Sequence, residues 1–518
     1  MSRYYMGIDQ GTTGTAVLIF DESWNMVSRG YKEIKQFYPQ PGLVEHDALE
    51  IWDSVLAAVD DAVGSADISI ADVCCIGIDH EGESVVIWDG RTGEPIANTI
   101  VWQDRRTAGM ANDLNERCGE RIRAITGLHP DAYFSATKYK WLIDNTPRAK
   151  EALAEGALMG GNMDAWIAWK LSGGDIYVTD ASTASRTMLY DIHKGDWSSE
   201  ILDMLGLSGL RLPEVRDSFS VYGHTDPAAF FGARIAVSCI LNDQQAALLG
   251  QGCLSPGAVK TTYGTGCFML MNVGGELVLP DNGILGTVAW QSGGRRTYAL
   301  DGGVYIAGAA VQWLRDGIGL IGCAANTEQL AIDAGSSDGL YFVPAFTGLA
   351  APYWDSYARG MMIGITAGIT REHIARATLE AIAYQVKDVL DIMADCAGRP
   401  FSAMRADGGA SSNNFLMQFQ SDILGIPIDI PAVTETTAFG AACGAALGAG
   451  EMRDIGEICS MWKPSRHFEP HMAADERDTL LHGWHRAVAR ARDWIEQDDD
   501  KLSQNRRTGI FKLFRRHK

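Results

Sequence analysis

Short apolar runs, bounded by glycine, threonine and aspartate, alternate along this chain with longer stretches whose apolar positions recur at helical spacing. The runs at residues 4–8, 16–20, 73–78, 85–88, 235–241 and 267–271 predict strands, and residues 51–63, 374–390 and 415–424 predict helices. Strands and helices mix throughout, which gives an α/β class. Two of the strand pairs are hairpins of one kind. Residues 4–8 lead through Asp9-Gln10-Gly11-Thr12-Thr13-Gly14-Thr15 into 16–20, and residues 258–260 lead through Thr261-Thr262-Tyr263-Gly264-Thr265-Gly266 into 267–271. One lies near the start and the other near the middle, so the expectation is two domains of like architecture, each lending a phosphate-holding turn to a shared cleft.

The length of 518 residues, with 46% hydrophobic and 21% charged positions, suits a globular chain with two large cores. A formal net charge of −21 argues against a nucleic-acid partner, because that affinity depends on Lys and Arg neutralising phosphates. The ten cysteines are scattered without a C-x-x-C pair, as expected of reduced core thiols in a cytoplasmic protein. A basic-then-apolar leader is lacking, as is an uncharged apolar stretch of about 20 residues, so neither secretion nor membrane spanning is expected.

Phosphoryl transfer needs amides and hydroxyls to hold phosphates, a carboxylate to hold Mg²⁺ through water, and a carboxylate to orient the attacking hydroxyl. Asp9 leads into the first Gly/Thr turn, within reach of metal-bound water. Asp243, in Asn242-Asp243-Gln244-Gln245-Ala246, follows the run at 235–241 and so falls at a strand end facing the cleft. A third turn, Asp407-Gly408-Gly409-Ala410-Ser411-Ser412-Asn413-Asn414, precedes the helix expected at 415–424, where small residues let a nucleotide approach the helix N-terminus.

These segments, together with Pro41-Gly42-Leu43-Val44-Glu45-His46-Asp47, Val101-Trp102-Gln103-Asp104-Arg105-Arg106, Ala184-Ser185-Arg186-Thr187-Met188-Leu189 and Val343-Pro344-Ala345-Phe346-Thr347-Gly348, resemble the FGGY carbohydrate kinases over nearly the whole chain. The resemblance implies an actin-like (RNase H-like) sugar kinase fold with an interdomain cleft: an N-terminal domain over 1–252, a C-terminal domain over 253–496, and a tail over 497–518. It implies ATP-dependent phosphorylation of a small polyol, with glycerol favoured, and a homo-oligomer. By the same resemblance, Asp243 is the general base and Asp9 holds Mg²⁺ through water. Thr12, Thr13 and Gly14 form the first phosphate turn, and Thr265 belongs to the second. Gly308, Gln312, Gly409 and Asn413 contact the nucleotide of ATP. Glu83, Trp102, Tyr133, Gln244 and Phe268, with Asp243, line the polyol pocket.

Two departures qualify that picture. Gly82, in Asp79-His80-Glu81-Gly82-Glu83, stands where family members that phosphorylate glycerol carry an arginine on a glycerol hydroxyl. Either the vacated space admits a longer polyol, a tetritol or pentitol, or His80 swings in as a substitute donor. Ala16 stands where those members place an arginine near the nucleotide phosphates. A non-catalytic ligand-binding member is the remaining alternative, against which stands the retention of both Asp9 and Asp243. In the tail, Ile510, Phe511, Leu513 and Phe514 interleave with basic residues, a pattern suited to a solvated tail and, as the lesser reading, to an anionic membrane surface.

Overall fold

The first hairpin is longer than its apolar runs. Strand Tyr4–Gly11 pairs antiparallel with Gly14–Phe20, so Thr12 and Thr13 alone form the tip, and Asp9 lies inside the strand opposite Ala16. The second hairpin repeats this design, with Val259–Tyr263 against Cys267–Gly274. The computed structural model describes residues 3–495 apart from 354 and 356, so the tail at 497–518 lies outside the described residues.

Each hairpin nucleates a larger sheet. In the six-stranded sheet, Tyr4–Gly11 also pairs in parallel with Val73–His80, which pairs in parallel with Ala236–Asn242, and Phe219–His224 closes that edge antiparallel. In the seven-stranded sheet, Val259–Tyr263 pairs in parallel with Met404–Asp407, Met404–Asp407 in parallel with Ile428–Pro431, and Pro464–Phe468 closes the edge antiparallel. The opposite edges are antiparallel extensions, Met26–Glu33 in the first sheet and Arg295–Val304 followed by Leu285–Ser292 in the second. The two sheets thus follow one plan, as the paired hairpins led us to expect. Gly14–Phe20 is buried along its whole length, which is why its sequence is a continuous apolar run rather than an alternating one.

Helices cover these sheets where the helical spacing placed them. Ala48–Ala66 is capped by Asp47, whose side chain accepts from the Leu49 amide, and it buries Ile51, Trp52, Val55 and Val59. Arg371–Ala397 forms the long helix of the second half. The helix Thr436–Gly448 follows a strand of the second sheet but packs on the first. Its backbone comes so close that a Cβ on Gly7 would stand 2.0 Å from the Ala438 carbonyl oxygen, and one on Gly77 2.0 Å from that of Ala441. All ten cysteines are free thiols, and among the described residues no helix is long and apolar enough to cross a membrane.

Candidate active site

Parallel pairing gathers carboxylates at one end of the first sheet. Asp9 lies beside Asp79, Leu241 lies on the other side of Asp79, and Asp243 opens the helix Asp243–Gly250 just beyond. Asp79 was not among the residues singled out from the sequence. It is fully buried, and its carboxyl faces that of Asp9, with which it hydrogen-bonds when one of the two carries a proton. Burial first, and then the charges of Asp9 and Asp243, push its pKa well above the usual carboxylate range. Burial also raises Asp9, opposed by the Thr437 hydroxyl, which donates to Asp9 Oδ2 at 2.5 Å. Asp243 is raised by burial too, and the Gln244 side chain, which donates to Oδ2 at 3.1 Å, and the charge of Lys260 pull the other way.

Hard carboxylate oxygens at adjoining strand ends are of the kind that suits Mg²⁺. Among the described residues no group of three or more His, Cys, Asp or Glu could hold an ion directly.

The tip of the first hairpin is tied to its surroundings through Thr12. Its carbonyl accepts from Gln36 Nε2 at 2.6 Å and its hydroxyl from Trp102 Nε1 at 2.9 Å, while Thr13 is exposed. Gly14 runs so close to the third strand that a Cβ would stand 2.5 Å from the Lys32 carbonyl oxygen. In the second hairpin the exposed Thr265 accepts, through its carbonyl, from the amides of Ala307 and Ala309, both at 3.0 Å. Gly308 follows the same contour, its amide donating to Gly264 O at 3.1 Å. Gln312 sits exposed at the far end of the short helix Gly308–Gln312. The pairing of Thr262 with Asp407 brings the third turn alongside. There Gly408 takes φ +84°, Gly409 is exposed, and Asn413 caps Asn414–Leu424 by accepting from Leu416 N at 2.9 Å. Thr436 and Thr437, also missed in the sequence, join the two halves: Thr436 donates to Asp407 and Thr437 to Asp9. The only sequence signal for them is a threonine pair opening an Ala/Gly-rich helix.

Two of the aromatic residues expected to line a polyol pocket are neighbours. The rings of Trp102 and Tyr133 meet edge-on, with centroids 5.9 Å apart. Phe268 lies opposite Gly303, where a Cβ would stand 3.4 Å from its ring. Lys260, fully buried, reaches Gln244 Oε1 at 2.5 Å and Thr262 Oγ1 at 3.0 Å, and burial lowers its pKa. Glu83, 4% exposed, accepts from Arg186 Nε at 2.7 Å.

Neither expectation for Gly82 holds. His80 does not swing into the pocket: it is fully buried, Nδ1 donates to the Glu81 carbonyl at 3.0 Å, and Nε2 lies 2.9 Å from the Thr183 hydroxyl. Nor is there space for added length at this position, because a Cβ on Gly82 would stand 2.0 Å from Asn242 Oδ1. Asn242 fills the gap, held by a 2.5 Å bond from its Nδ2 to Gln245 Oε1. Gly82→Arg is therefore expected to lower the thermal midpoint and the activity, and the double change Gly82→Arg with Asn242→Gly to recover both. A single variant as stable and active as wild type would contradict this packing. At the other departure, Ala16 is buried in its strand, and Asp9 feels the opposed charges of Arg29 and Glu435, which pair with each other at 3.4 Å.

Two Gly/Thr hairpin turns on sheets of one plan, carboxylates at the strand ends of the first and a glycine-rich helix-entry turn beside the second are the parts that a two-domain phosphotransferase uses. Residues 4–250 match the N-terminal domain of the FGGY family of carbohydrate kinases and residues 259–449 its C-terminal domain; the chain belongs to this family. It is a kinase whose acceptor is an alcohol. It is 49% identical to glycerol kinase 2 of Thermotoga maritima over 95% of this chain and 99% of that one. It is 50% identical to the glycerol kinase of Caldanaerobacter subterraneus over 96% of this chain and all of the relative. Among solved structures, Plasmodium falciparum glycerol kinase with ADP superposes with a TM-score of 0.89 at 31% identity, covering 95% of this chain and 98% of that one. The xylulose kinase of Rhodospirillum rubrum, with a TM-score of 0.83 at 23% identity over 94% of this chain and 98% of that one, shares the fold.

Proposed function

We propose that this chain transfers the γ-phosphoryl group of ATP to a primary hydroxyl of glycerol, forming sn-glycerol 3-phosphate. The observation that carries this reading is the position of Asp243, at the strand end where the carboxylates gather and beside Gln244 of the expected pocket. Near-half identity to glycerol kinases over almost the full length supports it, as does Asn242 closing the space at Gly82, which argues against a longer polyol.

In this reading the cleft separates a first lobe ending near residue 252 from a second beginning there, with Thr436–Gly448 returning to brace the first. Asp243 accepts the proton of the attacking hydroxyl as its oxygen bonds to the γ-phosphorus and the bond to the β-phosphate oxygen breaks, releasing ADP. Thr12, Thr13 and Gly14 hold phosphate on one side and Thr265 on the other, while Gly308, Gln312, Gly409 and Asn413 receive the nucleoside. Trp102, Tyr133 and Phe268 enclose the carbon chain, and Glu83 and Gln244 take its hydroxyls. Asp9 would hold Mg²⁺ through water, and the ion would neutralise phosphate charge. Lobe closure excludes water, which keeps idle ATP hydrolysis low.

A coupled ADP-release assay over glycerol, erythritol, ribitol and no acceptor tests the reading. Glycerol-dependent release well above the acceptor-free rate is expected. Release that no polyol stimulates would leave a ligand-binding protein, and a preference for erythritol or ribitol would reassign the acceptor.

A further inference from the structure

The arginine absent from position 82 leaves a charge-assisted donor to be accounted for, and one buried guanidinium lies within the pocket wall. Arg186 is 3% exposed. Its Nε donates to Glu83 Oε1 at 2.7 Å, and its guanidinium carbon lies 5.7 Å from the ring centroids of both Tyr133 and Phe134. On its other side Nη1 stands 2.9 Å from Asp301 Oδ2. That contact is an ion pair without hydrogen-bond alignment, so Nη1 is a buried donor with no hydrogen-bond partner.

The sheet register shows where this donor points. Phe268 pairs with Gly303, and Leu270 with Asp301. Side chains alternate along a strand, so Asp301 falls on the same face as Gly303, the face that Phe268 shares. Arg186 therefore spans from Glu83 and Tyr133 on the first half to the Phe268 face of the second, with an unsatisfied N–H between them. A buried guanidinium with an unmade hydrogen bond is costly unless a ligand completes it.

We propose that Arg186 is a substrate-binding residue, whose Nη1 donates to the polyol hydroxyl that Glu83 accepts from, supplying the contact that position 82 cannot. The inference rests on the glycerol reading above. Neither His80, with both ring nitrogens engaged, nor Lys260, committed to Gln244 and Thr262, competes for the role.

The test is substrate discrimination. kcat/KM is measured for glycerol, propane-1,2-diol and propane-1,3-diol in wild type and in Arg186→Lys, which keeps the charge and loses the planar fork. A charge-assisted hydrogen bond corresponds to a preference of roughly ten- to a hundredfold. Wild type is expected to prefer glycerol over at least one diol by about that factor, and the variant to lose most of the preference. The ratio does not depend on the fraction of protein that is folded. Should Arg186→Lys fail to fold, Arg186→Gln combined with Asp301→Asn, which retires both members of the ion pair, is read against Asp301→Asn alone. Parallel losses on all three substrates with an unchanged ratio would overturn the inference and leave Arg186 as a bridge between two carboxylates. Wild type inactive on glycerol would overturn the glycerol reading, and this inference with it.

Discussion

Asp243→Asn is expected to lower kcat by roughly 10²–10⁴-fold, the usual contribution of a general base, while ADP affinity stays within a few-fold of wild type. The amide keeps the shape of the carboxylate but cannot take the hydroxyl proton. Asn keeps the Oδ1 acceptor that takes the Gln244 backbone amide at 2.6 Å, and only the 3.1 Å contact from Gln244 Nε2 to Oδ2 is given up, since Gln244 Oε1 stays bound to Lys260. The pH profile provides a second readout. Burial raises the Asp243 pKa, so the base is lost by protonation at a higher pH than for an ordinary aspartate. The rate falls as pH drops through that raised value, and the acid limb of kcat/KM therefore lies above the ordinary carboxylate range near about 3.9. Turnover within about tenfold of wild type, with the same acid limb, would remove Asp243 from this role.

The largest effect on stability is expected from Gly77→Val. The Cβ position of Gly77 is 2.0 Å from the Ala441 carbonyl oxygen and 2.5 Å from its carbon, both backbone atoms of a packed helix. Neither side can yield without lifting Thr436–Gly448 off the sheet and drawing Thr437 away from Asp9. Overpacking of this kind costs about 3 kcal/mol or more. Urea unfolding of Gly77→Val should show a sharply lower midpoint or no native baseline. Gly64→Ala serves as the control: nothing lies within 4 Å of its Cβ position, and removing a glycine from the helix Ala48–Ala66 should leave the midpoint unchanged or slightly raised. A Gly77→Val midpoint equal to wild type would contradict the close packing.

How far the fold could be read from the sequence depended on the range of the interactions. The hairpins, the strand before Asp243 and the helices over 51–63 and 415–424 are written in local patterning, because each buries its own apolar run. Even so, the first strand extends through Asp9 to Gly11, since backbone pairing with Val73–His80 continues past the last apolar residue. Residues whose importance comes from distant partners left no local mark. Asp79 reads as an ordinary polar residue at a strand end, and only the register shows it buried between Asp9 and Leu241. Asn242 closing the space above Gly82, and Arg186 reaching from Glu83 to Asp301, join segments far apart in the chain. The expectation that Gly82 left room or called in His80 failed for this reason: the compensating side chain came from another strand.

The central claim is that glycerol is the acceptor, and a competition in one tube tests it most directly. Wild-type protein with ATP, Mg²⁺ and equal amounts of glycerol, erythritol and ribitol is followed by ³¹P NMR, where the product ratio equals the ratio of kcat/KM values. The account predicts glycerol phosphate as the dominant new phosphomonoester, formed in step with ADP and oxidised completely by a dehydrogenase selective for sn-glycerol 3-phosphate. Faster growth of erythritol or ribitol phosphate, or ADP accompanied only by inorganic phosphate, would contradict it.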